Sequence, residues 1–262
     1  MSYRTIEVVT RDRVATVWLN RPEVRNALNE TVIAELDESL TALGANSDIR
    51  VVVLAGRGKA FCAGADLQWM QRMATYGKRE NEADAMRLAT MLRTLYQCPK
   101  PTIARVHGPA YAGGMGLAAA CDMVVAAKRA EFCLSEVRIG LVPATISPYV
   151  VQALGVQAAR RYMLTAERLS AAEAHRIGFV HEVRELDEID SAVDEFAASL
   201  CMAGPAALAQ SKALIDQVSN RPIETGLIAD TAALIARVRA SSEGREGVDA
   251  FLQKRSAEWA CL

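Results

Sequence analysis

The groups best placed for chemistry in this sequence are backbone N–H groups rather than reactive side chains. Two small-residue segments, Ala60-Phe61-Cys62-Ala63-Gly64-Ala65-Asp66-Leu67 and Ala112-Gly113-Gly114-Met115-Gly116, each lie between a short apolar run and a helical pattern. A helix start presents unpaired N–H groups and the positive end of the helix dipole. A single such loop is commonly just a tight turn. Two of them in consecutive strand–helix units can aim their N–H groups at one oxygen, forming an oxyanion hole, a large contributor in acyl chemistry. One side chain stands out beside them. Glu136 lies between Cys133-Leu134-Ser135 and Val137, and a carboxylate in so apolar a stretch is expected to be buried, with a raised pKa suited to proton transfer. Glu131 reads as a surface charge.

Other chemistries find no support. There is no G-x-x-x-x-G-K-S/T phosphate loop, the run Gly113-Gly114-x-Gly116 is not G-x-G-x-x-G, and no G-x-S-x-G is present. The six cysteines (Cys62, Cys98, Cys121, Cys133, Cys201, Cys261) include no C-x-x-C pair, and the three histidines (His107, His175, His181) no H-x-x-x-H pair. No metal site is therefore expected, and the thiols read as reduced and mostly buried. A formal net charge of −1 offers no basic face for nucleic acid. Met1-Ser2-Tyr3-Arg4 opens no apolar leader, and the longest apolar stretch, from Gly116 to Ala127, is interrupted by Asp122 and too short to span a bilayer. The expectation is a cytoplasmic protein without a membrane partner.

The elements that must position these groups can be read from periodicity. A chain of 262 residues, 51% hydrophobic, can build one large core. Strands are expected over Thr5–Val9 and Val14–Leu19, with Arg11-Asp12-Arg13 as a hairpin turn. Asn29 is a good N-cap for a helix carrying Val32, Leu36, Leu40 and Leu43 on one stripe. Val51–Leu54, Thr102–Val106 and Met123–Ala126 read as buried strands. A helix is expected to start near Asp66, and the polar stretch Gln71–Asp84, which lacks a clear period, reads as a mobile surface segment before a helix ending near Tyr96. Ser170-Ala171-Ala172-Glu173 is a capping box with Gly178 just past the helix end. Val180–Val183 reads as a last strand. Helical patterns follow over 187–201, 205–217 and 224–239.

These residues resemble the enoyl-CoA hydratase/isomerase (crotonase) superfamily. The resemblance is carried by Phe61 to Leu67, by His107-Gly108-Pro109-Ala110-Tyr111-Ala112-Gly113-Gly114, and by Cys121-Asp122. Arg21-Pro22 with Arg25-Asn26-Ala27-Leu28, Glu136 with Ile139-Gly140, and Phe251-Leu252-Gln253-Lys254-Arg255 extend it over nearly the whole chain. It implies an α/β fold, a spiral of β-β-α units (residues 1–200) with a helical C-terminal trimerisation region (201–262) of the same structural unit. It implies a coenzyme A thioester as substrate, its carbonyl oxygen held by the N–H groups of Ala65 and Gly113, with no metal or redox cofactor. CoA would be held near Arg25, Ala27 and Leu28, by the backbone around Ala63, Asp66 and Leu67, and by Lys254 of a neighbouring subunit in a homotrimer or homohexamer.

Hydratases of that superfamily typically carry two glutamates. The resemblance aligns the first with Gly116, which has no carboxylate, and the second with Glu136. A single glutamate is similar to two kinds of member: isomerases that move a proton between C2 and C4, and bacterial hydratases of 3-methylglutaconyl-CoA or isohexenylglutaconyl-CoA. Phe132 to Leu141, Ile146-Ser147-Pro148-Tyr149-Val150-Val151 and Ala159-Arg160-Arg161-Tyr162 resemble the latter. The expectation is a branched glutaconyl-CoA hydratase in which Gly116 leaves room in the pocket and Arg72 or Arg138 meets the distal carboxylate. An isomerase and a non-catalytic CoA-binding scaffold are the alternatives.

Overall fold

The computed structural model describes residues 3–260. Met1, Ser2 and Cys261 of the sequence reading lie outside them. The chain runs β1 (Ile6–Arg11), β2 (Val14–Leu19), α1 (Glu30–Ala45), β3 (Val51–Gly56), α2 (Leu67–Met73), α3 (Lys78–Tyr96), β4 (Thr102–Val106), β5 (Ala110–Tyr111) and α4 (Gly113–Ala120). It continues with β6 (Met123–Ala127), β7 (Glu131–Cys133), α5 (Ser147–Thr165), β8 (Leu169–Ser170), α6 (Ala171–Arg176) and β9 (Glu182–Arg184). It closes with α7 (Ile189–Cys201), α8 (Pro205–Val218), α9 (Thr225–Ala240) and α10 (Ser242–Gln253). The mixed α/β architecture with a helical C-terminal region is the one expected.

A six-stranded sheet has the order β1-β2-β3-β4-β6-β9, antiparallel only at β1–β2. Asp12 and Arg13 turn that hairpin with left-handed φ of 47° and 64°, as a two-residue turn between twisted strands requires. β3 is buried along its whole length, and its alternating side chains serve both faces. Val51 and Val53 pack with Ile189, Val193 and Ala197 of α7, while Val52 and Leu54 face the core shared with Leu36, Leu40, Leu92 and Leu95 of α1 and α3. A smaller sheet, β5-β7-β8, carries the stretch leading to Glu136.

Asn29 caps α1 by accepting the Val32 N–H at 3.0 Å, and Ser170 caps α6 by accepting that of Glu173 at 3.2 Å. The stretch Gln71–Asp84, expected to be irregular, is largely helical, because α3 begins at Lys78. The Glu80 carboxylate accepts the Gly77 N–H at 2.8 Å and fixes that start. The period was hidden because the first turns of α3 are solvent-exposed on all sides, and the only buried residue there is Asp84, which pairs with Arg87 at 3.0 Å. No described helix is by itself long and apolar enough to cross a membrane.

Candidate active site

A continuous ladder of backbone hydrogen bonds assembles the site. Arg25 and Asn26 turn the chain in left-handed conformation, and the buried Asn26 side chain locks this turn, donating to the carbonyls of Arg57 (2.8 Å) and Ala60 (2.9 Å). The chain then runs beside the first small-residue loop. Ala63 donates to Arg25 (3.0 Å), Leu28 to Gly64 (2.7 Å) and Asp66 to Leu28 (2.8 Å). The second loop lies on the other side, where Phe61 and Cys62 both donate to Pro109 and Tyr111 donates to Cys62 at 2.9 Å. Finally Ala112 donates to Cys133 at 2.8 Å, three residues before Glu136. The turn after β2, both glycine-containing loops and the glutamate segment thus form one layer.

Within this layer the N–H groups of Ala65 and Gly113 meet no acceptor among the described residues. Ala65 is paired with Leu28 in a parallel bridge whose hydrogen bonds come from its neighbours, which leaves its own N–H free. Gly113 is the first residue of α4, where an N–H has no partner within the helix. The approach is tight: Gly64 has φ 98°, which disfavours any side chain, and a Cβ there would come within 3.1 Å of Ala112 Cβ, while a Cβ at Gly113 would come within 2.8 Å of the Leu28 side-chain end, Cδ1. Ala112 itself has φ 47° and ψ −117°, a costly conformation for a residue with a Cβ and one that tends to occur at functional sites. It turns the chain sharply into α4.

Asp66 holds the other end. Its carboxylate caps α2 by accepting the Gln68 N–H at 2.8 Å and pairs with Arg21 at 2.8 Å. Burial opposes its ionisation, but the Arg21 bond and the helix N–H groups outweigh burial and hold the carboxyl below its usual range. The side chain and N–H of Asp66 are therefore engaged internally, as is the Ala63 N–H, so these residues shape the loop rather than offer donors. Ala27 and Leu28 are buried, Arg25 and Leu67 are exposed, and no acid pairs with Arg25 among the described residues. Lys254 is exposed at the end of α10.

Glu136 opens a short 3-10 turn, Glu136–Ile139. Its Oε2 is buried and has no hydrogen-bond partner, and burial pushes its pKa up against a smaller opposing effect of its own backbone N–H. One expectation about its surroundings is corrected. Gly116 leaves no room, because a Cβ there would come within 2.2 Å of Ile146 Cγ2; the space is already filled by a buried apolar side chain. Arg72 is engaged by Glu30 at 2.8 Å and 2.9 Å, and Arg138 donates to the Ala166 carbonyl at 2.7 Å through one guanidinium nitrogen. Sequence reasoning named Ile146 only within a resembling segment, without a role, and passed over Trp69, whose buried indole N–H has no partner. The place of Ile146 has no local signal, because it comes from its contact with Gly116 across the fold.

The three histidines serve the framework. His107 bonds the Gly58 carbonyl at 3.0 Å, His175 that of Val180 at 2.9 Å, and His181 Nδ1 accepts the Val124 N–H at 3.0 Å. No group of three metal-ligating side chains is found among the described residues. The five described cysteines are unpaired, and burial pushes the Cys62 thiol up to about 12.

The family model for enoyl-CoA hydratase/isomerase matches residues 10–261. The chain belongs to this family, within the crotonase superfamily. It is 31% identical to the crotonyl-CoA hydratase of Syntrophomonas wolfei, over 99% of each chain. Its fold superposes on an enoyl-CoA hydratase of Shewanella pealeana with a TM-score of 0.95 at 40% identity, covering 98% of this chain and 96% of the other. It also superposes on Pseudomonas aeruginosa AtuE with a TM-score of 0.94 at 34% identity, covering 98% and 100%.

Proposed function

We propose that this enoyl-CoA hydratase of the crotonase superfamily adds water to a branched glutaconyl-CoA, with 3-methylglutaconyl-CoA as the type substrate. The observation that carries the reaction is the buried, unpartnered Glu136 Oε2 in one bonded layer with the free N–H groups of Ala65 and Gly113. The two N–H groups hold the thioester oxygen. Glu136 removes a proton from water as its oxygen bonds to C3, and the electron pair of the C2–C3 double bond moves toward the thioester oxygen. The resulting enolate is stabilised by donors already in place. The Glu136 carboxylic acid then returns the proton to C2, so that one water is added and the enzyme is unchanged. The raised pKa fits a group that must both take and give a proton near neutral pH.

CoA is placed along the exposed side of the layer, where Arg25 is free to meet a phosphate as a forked donor and Ala27, Leu28, Ala63, Asp66 and Leu67 form the backbone beneath it. Lys254 of a second subunit completes this site in a homotrimer or homohexamer. The branched substrate is supported by the similarity of the Phe132–Leu141 and Ile146–Val151 segments to glutaconyl-CoA hydratases. A second reading, a double-bond isomerase, is favoured by one observation: the space at Gly116 is closed by Ile146, leaving Glu136 as the single acid/base, which suffices to move a proton between C2 and C4.

Steady-state rates on 3-methylglutaconyl-CoA, crotonyl-CoA and a 3-enoyl-CoA separate the readings. Loss of the conjugated thioester absorbance, fastest with the branched substrate, is expected. Gain of that absorbance from the 3-enoyl-CoA alone would establish the isomerase, and no turnover of any thioester would establish the scaffold.

A further inference from the structure

We propose that Ile146 is a specificity-determining residue, forming the wall against which the substituent on C3 of the bound acyl group packs. The inference rests on the reading of Gly113 as a donor to the thioester oxygen. Gly113 and Gly116 are three residues apart on α4, so they lie on one face, one turn apart. A side chain at Gly113 would run into Leu28, and one at Gly116 would run into Ile146, whose Cγ2 and Cβ lie 2.2 Å and 2.7 Å from the position of that Cβ. At these two positions the helix face carries no side chain of its own and is covered instead by two apolar side chains from elsewhere in the fold. An acyl chain whose carbonyl oxygen sits at the Gly113 N–H and which runs along α4 passes Ile146 within a turn's length.

Ile146 is also tied to the acid/base. The chain leaves the turn at Glu136 with Leu141 donating to the Glu136 carbonyl at 3.0 Å, and passes Ala144, which donates to Val142 at 2.8 Å. It then enters α5, where Val150 donates to the Ile146 carbonyl at 3.1 Å. Between Glu136 and Ile146 the residues Ile139, Leu141 and Val142 are exposed, whereas Ile146 is only 2% exposed. One segment thus delivers a carboxylate at its start and an apolar plug at its end. A β-branched side chain at the head of a helix has little rotameric freedom, so the wall is fixed. A substituent on C3 directed to this side meets hydrocarbon, which suits a methyl group and leaves no polar partner for a second water or carboxylate.

The test compares 3-methylglutaconyl-CoA with glutaconyl-CoA, which differ by that methyl group, using wild type, Ile146→Val and Ile146→Ala. The ratio of the two kcat/KM values is independent of how much of each preparation is folded. One carbon in an apolar pocket commonly changes kcat/KM by about tenfold or more. The ratio in favour of the methylated substrate is expected to fall about tenfold in Ile146→Ala, and by less in Ile146→Val. An unchanged ratio in both variants, with wild type active on both substrates, overturns the role of Ile146 alone. A wild type that turns over crotonyl-CoA but neither glutaconyl thioester overturns the substrate reading, and this inference with it.

Discussion

Glu136 holds a carboxylate oxygen that is buried and bonded to nothing, which is a destabilising arrangement unless it has a use. Its pKa is raised by burial. For a carboxyl group this means that its contribution to stability is fully present below the ordinary value of about 4.3 and is lost as pH rises through the raised one. At neutral pH the wild type bears that cost. Glu136→Gln is therefore expected to melt at a higher temperature than wild type at pH 7, while kcat falls by about 10²–10⁴-fold, the usual contribution of a general acid/base; calorimetry and initial rates check the two halves. The pH profile follows from the same shift. As a base, Glu136 must be ionised, so the acid limb of kcat/KM is expected to have its midpoint above about 4.3. A limb at or below that value would show that burial does not act on the working group. At this scale the sequence was informative: the apolar neighbours of Glu136 signalled its burial. They carried no information on Arg72 and Arg138, because the partners that engage them, Glu30 and Ala166, are distant in sequence.

The elements matter through how firmly they hold two N–H groups. Asp66 caps α2 and pairs with the largely buried Arg21, one residue from Ala65. Asp66→Ala removes both interactions and is expected to cost about 3 kcal/mol in denaturant unfolding. It should also lower kcat more than it raises KM, since a displaced Ala65 N–H weakens transition-state binding. Asp66→Asn keeps the cap and should recover part of both. On α4, Gly116→Ala forces a methyl group into Ile146 and is expected to cost about 1–3 kcal/mol. In a double-mutant cycle with Ile146→Gly, which removes both the Cγ2 at 2.2 Å and the Cβ at 2.7 Å, the penalty should largely disappear, because the two sites share one volume. Buried strands such as β3 and β4, and caps such as Asn29 and Ser170, were legible because local residue types dictate them. The start of α3 was not, because a helix exposed on every side has no apolar stripe. The plug at Gly116 was not, because a missing side chain in sequence does not reveal what fills its space.

At the scale of the whole molecule, the strand-rich core buries most of its apolar residues, while α9, α10 and the segment before them leave several exposed. Ile223, Ile228, Ile235, Val248, Phe251 and Leu252 on and around α9 and α10 are exposed, Ile223 and Phe251 by more than 80%. Exposed apolar surface of this kind is what an association site presents. We propose the homotrimer or its dimer, so light scattering is expected to give three or six times the chain mass of 28.3 kDa. Phe251→Glu with Leu252→Glu should shift that mass toward the single chain. The central claim, that one carboxylate beside two free N–H groups hydrates a branched thioester, is tested most directly with heavy-oxygen water. Wild type and Glu136→Gln are incubated with 3-methylglutaconyl-CoA in that water, and the product mass is measured. One heavy oxygen atom is expected on the wild-type product, and Glu136→Gln is expected to incorporate it about 10²–10⁴-fold more slowly. A mass-neutral product from the wild type, or incorporation at an equal rate by the variant, would contradict it.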